Sequence, residues 1–298
     1  MRARRGNCVA SGMVTLLVVG AVVASGCSQA MRSPMPDVTG QLAVKVSTEG
    51  PSKSTDLPTG IHQVPDTAVY ISGYQGESMK VGQHFGLIGV LAAEAAASRT
   101  SEKKAESAQG HLRLDLPGWT ERVVAQEIPR AGAARLVANG AGGNGALELV
   151  PYLVVSSTGN DQVRPWIFLK TTLKDAGGDT KWKTRYIVSL GPPRPLGGPN
   201  GWAAGDGASF RAAVDAGLRR AVILMMKDTS GALARTGGRP VKLKTQWPWV
   251  KEPLVIAADV LEETPDSLIV LPKVGDLTTF AGINVLDKTS VSLTPADN

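Results

Sequence analysis

The sequence predicts an α+β fold: an antiparallel or mixed sheet packed by two or three helices across residues 42–230, then a small all-β module across 240–298. Three observations predict it. First, Leu147–Ser156, Val163–Leu173 and Trp182–Leu190 are β-rich runs. The turn formers Thr158–Gly159–Asn160–Asp161 and Gly177–Gly178–Asp179 separate them, as in an antiparallel meander. Second, apolar residues recur at helical spacing after Leu116 and again after Asp206. Third, only short β-rich runs remain after Pro240.

In chain order, Leu42–Val46 alternates as a strand does, and Ala68–Ile71 is a second strand. Between them, residues 48–66 carry Pro51, Pro58, Gly60 and Pro65 and are expected to be a loop or a continuation of the amino-terminal tether. Residues 79–98 (MKVGQHFGLIGVLAAEAAAS) favour a helix, and Gly82, Gly86 and Gly89 leave one side flat for close packing. Leu116–Pro117–Gly118–Trp119 opens another helix, with Trp119, Val123, Val124 and Ile128 on its apolar side. Ala134–Ala138 is a short strand before the glycine-rich loop Gly140–Gly145. After the meander and a proline-rich loop over 191–201, Asp206 is expected to cap a helix reaching Lys227. Its stripe is Phe210, Val214, Leu218, Val222 and Met225, and Gly231 stops it. Strands are then expected at Val241–Lys244, Leu254–Leu261, Leu268–Leu271, Leu277–Phe280 and Ser290–Leu293. That many short strands with tight turns suit an SH3-like barrel.

The amino terminus has a different character. Arg2, Arg4 and Arg5 precede an apolar run from Met13 to Ala24, and small residues follow. This is the charge and hydropathy order of a secretory signal, and the run is shorter than the ~20 residues that span a bilayer as a helix. Ala24–Ser25–Gly26–Cys27 resembles the lipobox of bacterial lipoproteins, with Ala24 where that family more often has leucine. The resemblance implies cleavage between Gly26 and Cys27, a diacylglyceryl group on the Cys27 sulfur and acylation of the new amino terminus. Ser28 is not the aspartate that retains such proteins at the inner membrane, so the resemblance favours the periplasmic side of the outer membrane. Residues 1–26 are then the signal peptide, and 27–41, polar with Pro34 and Pro36, a flexible lipidated tether. The element order across 67–230 also resembles the core of envelope accessory lipoproteins, such as ABC-transport auxiliary lipoproteins and the CsgG/TolB-N-like group. That likeness assigns no functional residue.

Composition limits the remaining choices. Cys8 leaves with the signal and Cys27 is the acceptor, so the mature 272 residues form no internal disulfide. Removing Arg2, Arg4 and Arg5 lowers the net charge from +6 to +3, which does not point to nucleic acid. His62, His84 and His111 lack the i, i+3 or i, i+4 spacing of a helical metal site, so no metal and no cofactor is expected. No G-x-S-x-G elbow occurs, and Ser101–Glu102–Lys103–Lys104 lies in polar chain without a companion K-T-G. Gly140–Gly145 lacks a P-loop lysine. Glu262, Glu263 and Asp266 fall at a predicted hairpin turn, where they remain hydrated. No catalytic residue is assigned.

Tryptophan and arginine, the residue types of interface hot spots, concentrate in the meander and at Trp247–Pro248–Trp249. Trp166, Arg185, Trp202, Trp247 and Trp249 are therefore the candidate partner surface, although the same residues could pack strands or wedge the two modules together. The expected function is that of a non-enzymatic, lipid-anchored envelope protein that contacts another envelope protein. A glycan- or small-molecule-binding lipoprotein and an envelope hydrolase with a scattered site are the alternatives.

Overall fold

Long β-branched runs with tight turns place the centre of the chain in a three-strand meander. A computed structural model describes residues 30–53, 56–58, 61–72, 110–138, 140, 145–159, 162–276 and 278–296. Within them, β1 is Leu42–Val46, β2 Ile61–Gln63, β3 Val69–Ser72 and β4 Leu136–Ala138. The meander is β5 (Ala146–Gly159), β6 (Gln162–Lys174) and β7 (Thr180–Ser189), with the short β8 (Arg194–Pro195) after it. The β6–β7 turn closes with Asp175 N–H donating to the Asp179 carbonyl, and Gly178 takes φ +88°. Strand β5 is long enough for two short parallel strands to share its second edge: β1 beside Ala146–Leu149 and β3 beside Leu153–Ser156.

Two helices lie on one face of this sheet. Helix α1 (Leu116–Arg130) starts at Asp115, whose carboxylate accepts from Gly118 N–H, and buries Val123, Val124 and Ile128. Helix α2 (Ala208–Thr229) buries Phe210, Val214, Leu218, Val222 and Met225, the predicted stripe. Asp206 does not cap it. Gly207 occupies the cap position at φ +72° and Asp206 lies just outside at φ +54°, so no side chain accepts from the first turn. Gly217 gives α2 its approach to Ile167 of β6 and Leu190.

The α+β expectation fails. Among the described residues two α-helices stand beside one mixed sheet of thirteen strands, so the fold is sheet-dominated rather than a helix-packed core with a separate module. The expected helix over 79–98 lies outside the described residues. The final strands are β9 (Arg239–Thr245), β10 (Leu254–Glu263), β11 (Ser267–Pro272), β12 (Ile283–Asp287) and β13 (Val291–Pro295). They are antiparallel neighbours in the order β13-β9-β10-β11-β12, and one 3-10 turn, Lys288–Ser290, returns the chain from β12 to β13. However, β12 also pairs in parallel with β7, Ile283 to Tyr186 and Val285 to Val188, which makes one ladder of the meander and the final strands. Residues 278–280 are not strand; Phe280 is buried and stacks on Trp247 with ring centroids 5.0 Å apart.

Among the described residues, irregular chain rather than helix packs on the opposite face of the meander. Trp249 packs on Phe168 and Phe168 on Tyr152, with centroids 5.8 and 4.8 Å apart. Asp56, from the loop after β1, reaches the same face and binds Lys170 and Arg185. Arg164, 1% exposed, crosses from β6 to the β12–β13 turn: it donates to the Ser290 hydroxyl at 2.7 Å and pairs with Asp287 at 3.3 Å.

Candidate functional site at the amino-terminal strap

Residues 30–33 are strapped to the body, where a flexible tether is expected. Ala30 N–H donates to Asp276 Oδ2 at 2.8 Å and Met31 N–H to Asp276 Oδ1 at 3.2 Å. The Met31 side chain is 3% exposed, and its carbonyl accepts from Arg235 at 2.7 Å. Arg32 donates to the Leu271 and Pro272 carbonyls and pairs with Asp259 at 2.7 Å, while Lys273 holds the other Asp259 oxygen at 2.9 Å. The Ser33 carbonyl accepts from the Trp182 indole at 2.9 Å. An irregular segment can be buried only if its main-chain groups find partners, and here Trp182 and Thr184 of β7, Arg235 from the α2–β9 loop and Asp276 from the β11–β12 loop supply them.

Arg235 is the hub of this docking. Its guanidinium, fully buried, lies over the Trp182 ring, donates to Thr184 Oγ1 at 3.1 Å and pairs with Asp228 at the end of α2. Tyr186 donates to the same carboxylate at 2.6 Å. Burial disfavours the Arg235 charge, but the hydrogen bonds it donates to Asp228, with the electrostatic attraction of Tyr186 and Asp228, together overcome it and the pKa rises. Burial and then the Asp228 charge push the Tyr186 phenol well above its ordinary value, so it stays a donor. The strap thus ends on a permanently charged, internally neutralised cluster. In sequence its one visible trace is apolar Met31, Met35 and Val38 in an otherwise polar stretch; Met35 and Val38 also touch the core.

A second buried cluster lies on the other sheet face. Asp56 Oδ2 is 2.6 Å from Lys170 Nζ and Oδ1 is 3.1 Å from Arg185. Burial raises the Asp56 pKa, but Lys170 and Arg185 together overcome it and hold the carboxyl below its ordinary value. The nearby Tyr152 hydroxyl is fully buried and makes no hydrogen bond; burial drives its pKa up, so it is no base.

The predicted site residues divide in two. Gly26 and Cys27 lie outside the described residues, as do Cys8, His84 and Ser101–Lys104. Trp166, Arg185, Trp202, Trp247 and Trp249 are each at most 3% exposed, so they offer no partner surface. They are packing residues: a tryptophan between β-branched strands contributes more by burying its ring than by waiting at the surface. Trp249 has φ +71°, and its N–H donates to the buried Ser156 hydroxyl at 3.0 Å.

Other chemistry is sparse. Among the described residues no group of three or more histidine, cysteine, aspartate or glutamate side chains could hold a metal. His62 lies in β2, opposite Ile71. Glu262 pairs with Lys227, and Glu263 with Arg239 and Lys288. An open groove of about 1010 Å³ runs between Thr48, Asp66, Arg113 and Glu121, but its Asp115 is committed to capping α1. Among the described residues no helix is long and apolar enough to cross a membrane. No family model, curated protein or solved structure matches the chain.

Proposed function

We propose that this protein is a lipid-anchored, periplasm-facing envelope lipoprotein that works by contact with another envelope component rather than by catalysis. One observation carries the reading: Arg2, Arg4 and Arg5, the apolar run Met13–Ala24 and the sequence Ala24–Ser25–Gly26–Cys27 follow one another in the order that export and acylation require. Two or more acyl chains, each contributing ~0.8 kcal/mol per buried methylene, make such attachment stable. Contact rather than chemistry is supported by the charged groups of the two buried clusters, which are committed to one another. Because Trp166, Trp202, Trp247 and Trp249 are buried, an aromatic trough for glycans has no support from them.

The test is Cys27→Ser. Acyl labelling is expected to vanish and the product to leave the membrane fraction; undiminished membrane association of the variant overturns the anchor. Crosslinking in intact cells, followed by capture of the wild-type chain, is expected to return one defined envelope partner.

A further inference from the structure

We infer that the outer face of β9 and β10 lies flat on the bilayer, with Val255 at the lipid interface and Lys242 and Lys244 on lipid phosphates. This rests on the Cys27 anchor and specifies how the body sits once anchored. The chain between anchor and body is short. Ala30 is already bound to Asp276, so three residue steps separate the acylated Cys27 from the fixed body, at most ~11 Å of chain. That is comparable with the roughly 5–7 Å headgroup layer of one leaflet plus a side chain. A body held so closely cannot hang free; some face of it must meet the headgroups.

The strap's own contacts mark that face. Arg32 clamps Asp259, and Asp259 shares its side of β10 with Ala257 and Val255, two and four residues earlier. Val255 is 62% exposed, the most exposed large hydrophobic side chain among the described residues. Directly opposite on β9, and therefore on the same side, Lys244 faces Val255 and Lys242 faces Ala257. Both lysines are exposed, whereas their neighbours Val241 and Leu243 are buried. Next along, β13 adds Ser292 and Thr294 opposite them. The strap therefore ends on the rim of a pleated face that is apolar in the middle and basic beside it, with its carboxylates already paired, Asp259 with Arg32 and Lys273 and Glu262, beyond the bulge, with Lys227. Lysines that extend to phosphates around a shallow apolar centre are the composition of an interfacial membrane contact.

The test places a cysteine at position 255 in the full, naturally processed chain, where acylation blocks Cys27, and labels it with an environment-sensitive fluorophore. Asn200→Cys, exposed in the loop at the other end of β7, is the control. In vesicles of phosphatidylethanolamine and phosphatidylglycerol, the probe at 255 is expected to shift to the blue and be quenched by brominated lipid, and the probe at 200 to remain water-like. Replacing both lysines by Gln should lower the docked-to-undocked ratio roughly 25-fold, about fivefold per charge. A water-like probe at 255 on chain carrying its acyl group overturns the flat-lying face and leaves the anchor standing. Absence of an acyl group on Cys27 by mass spectrometry overturns both.

Discussion

Asp56 shows what a single buried carboxylate can control. It is 2% exposed and is the common partner of Lys170 and Arg185, the latter also buried. Asp56→Asn would keep the shape and remove the charge, leaving the half-buried Lys170 and the buried Arg185 without a counter-charge between them. Breaking such a pair from one side costs about 3 kcal/mol, which a fall in the urea midpoint at unchanged slope would register. The pH dependence has a definite sign. The folded pKa lies below the ordinary carboxylate value, so near that value the unfolded chain binds the extra proton. The carboxylate's contribution is complete above that value and drains away as pH falls through the lower folded one. The gap between wild type and Asp56→Asn should therefore be full at pH 7 and shrink steadily below about pH 4. A gap independent of pH would show that Asp56 acts through packing alone. None of this was legible in sequence, where Asp56 is one acid in a proline-rich loop and its partners lie 114 and 129 positions away.

At the scale of elements, what depends on local chemistry was legible and what depends on distant partners was not. The stripe of α2, the three runs of the meander and the turn at Asp175–Asp179 all follow from spacing within a few residues. Asp206 fails as a cap because the backbone turns left-handed at Asp206 and Gly207, which the residue types permit but do not announce. Ile61–Gln63 pairs as a strand only because β3 is there to receive it. The last misplaced element, β12, starts after Gly282 rather than at Leu277. Gly282 takes φ +122°, and a Cβ there would lie 2.4 Å from the Arg185 carbonyl oxygen. Any side chain thus meets both a forbidden backbone region and the main chain of β7. Gly282→Ala is expected to cost about 3 kcal/mol or more, from a strain of about 1–3 kcal/mol plus displacement of the strand. Thermal unfolding measures it; a change under 1 kcal/mol would mean that β12 shifts along β7 without penalty.

For the whole molecule, the decisive contact is the short parallel pairing of β12 with β7, since it determines whether the last strands are a module or a continuation. Sequence reading separates them because the element pattern changes at Pro240, and a parallel pair nearly 100 residues apart leaves no local trace. In three dimensions the join is reinforced from both sides of the ladder. Arg164 ties β6 to the β12–β13 turn through Ser290 and Asp287. The strap crosses between them as well, held by Thr184 and Arg235 on one hand and by Asp259 and Asp276 on the other. Trp247 and Trp249 fill the remaining space, the first against Phe280 and the second against Phe168 of the meander. Opening β9–β13 alone would therefore expose two tryptophans, strip Ser290 and Asp287 from the buried Arg164 and release the strap, a cost close to that of unfolding the meander itself. Native-state hydrogen exchange should accordingly find the slowest amides of β10–β12 and of β5–β7 opening with free energies within about 1 kcal/mol of one another, and falling in parallel as denaturant is added. Amides of β10–β12 that exchange at several kcal/mol less than those of β5–β7 would restore the two-module description and make the β12–β7 pairing a contact between folded units.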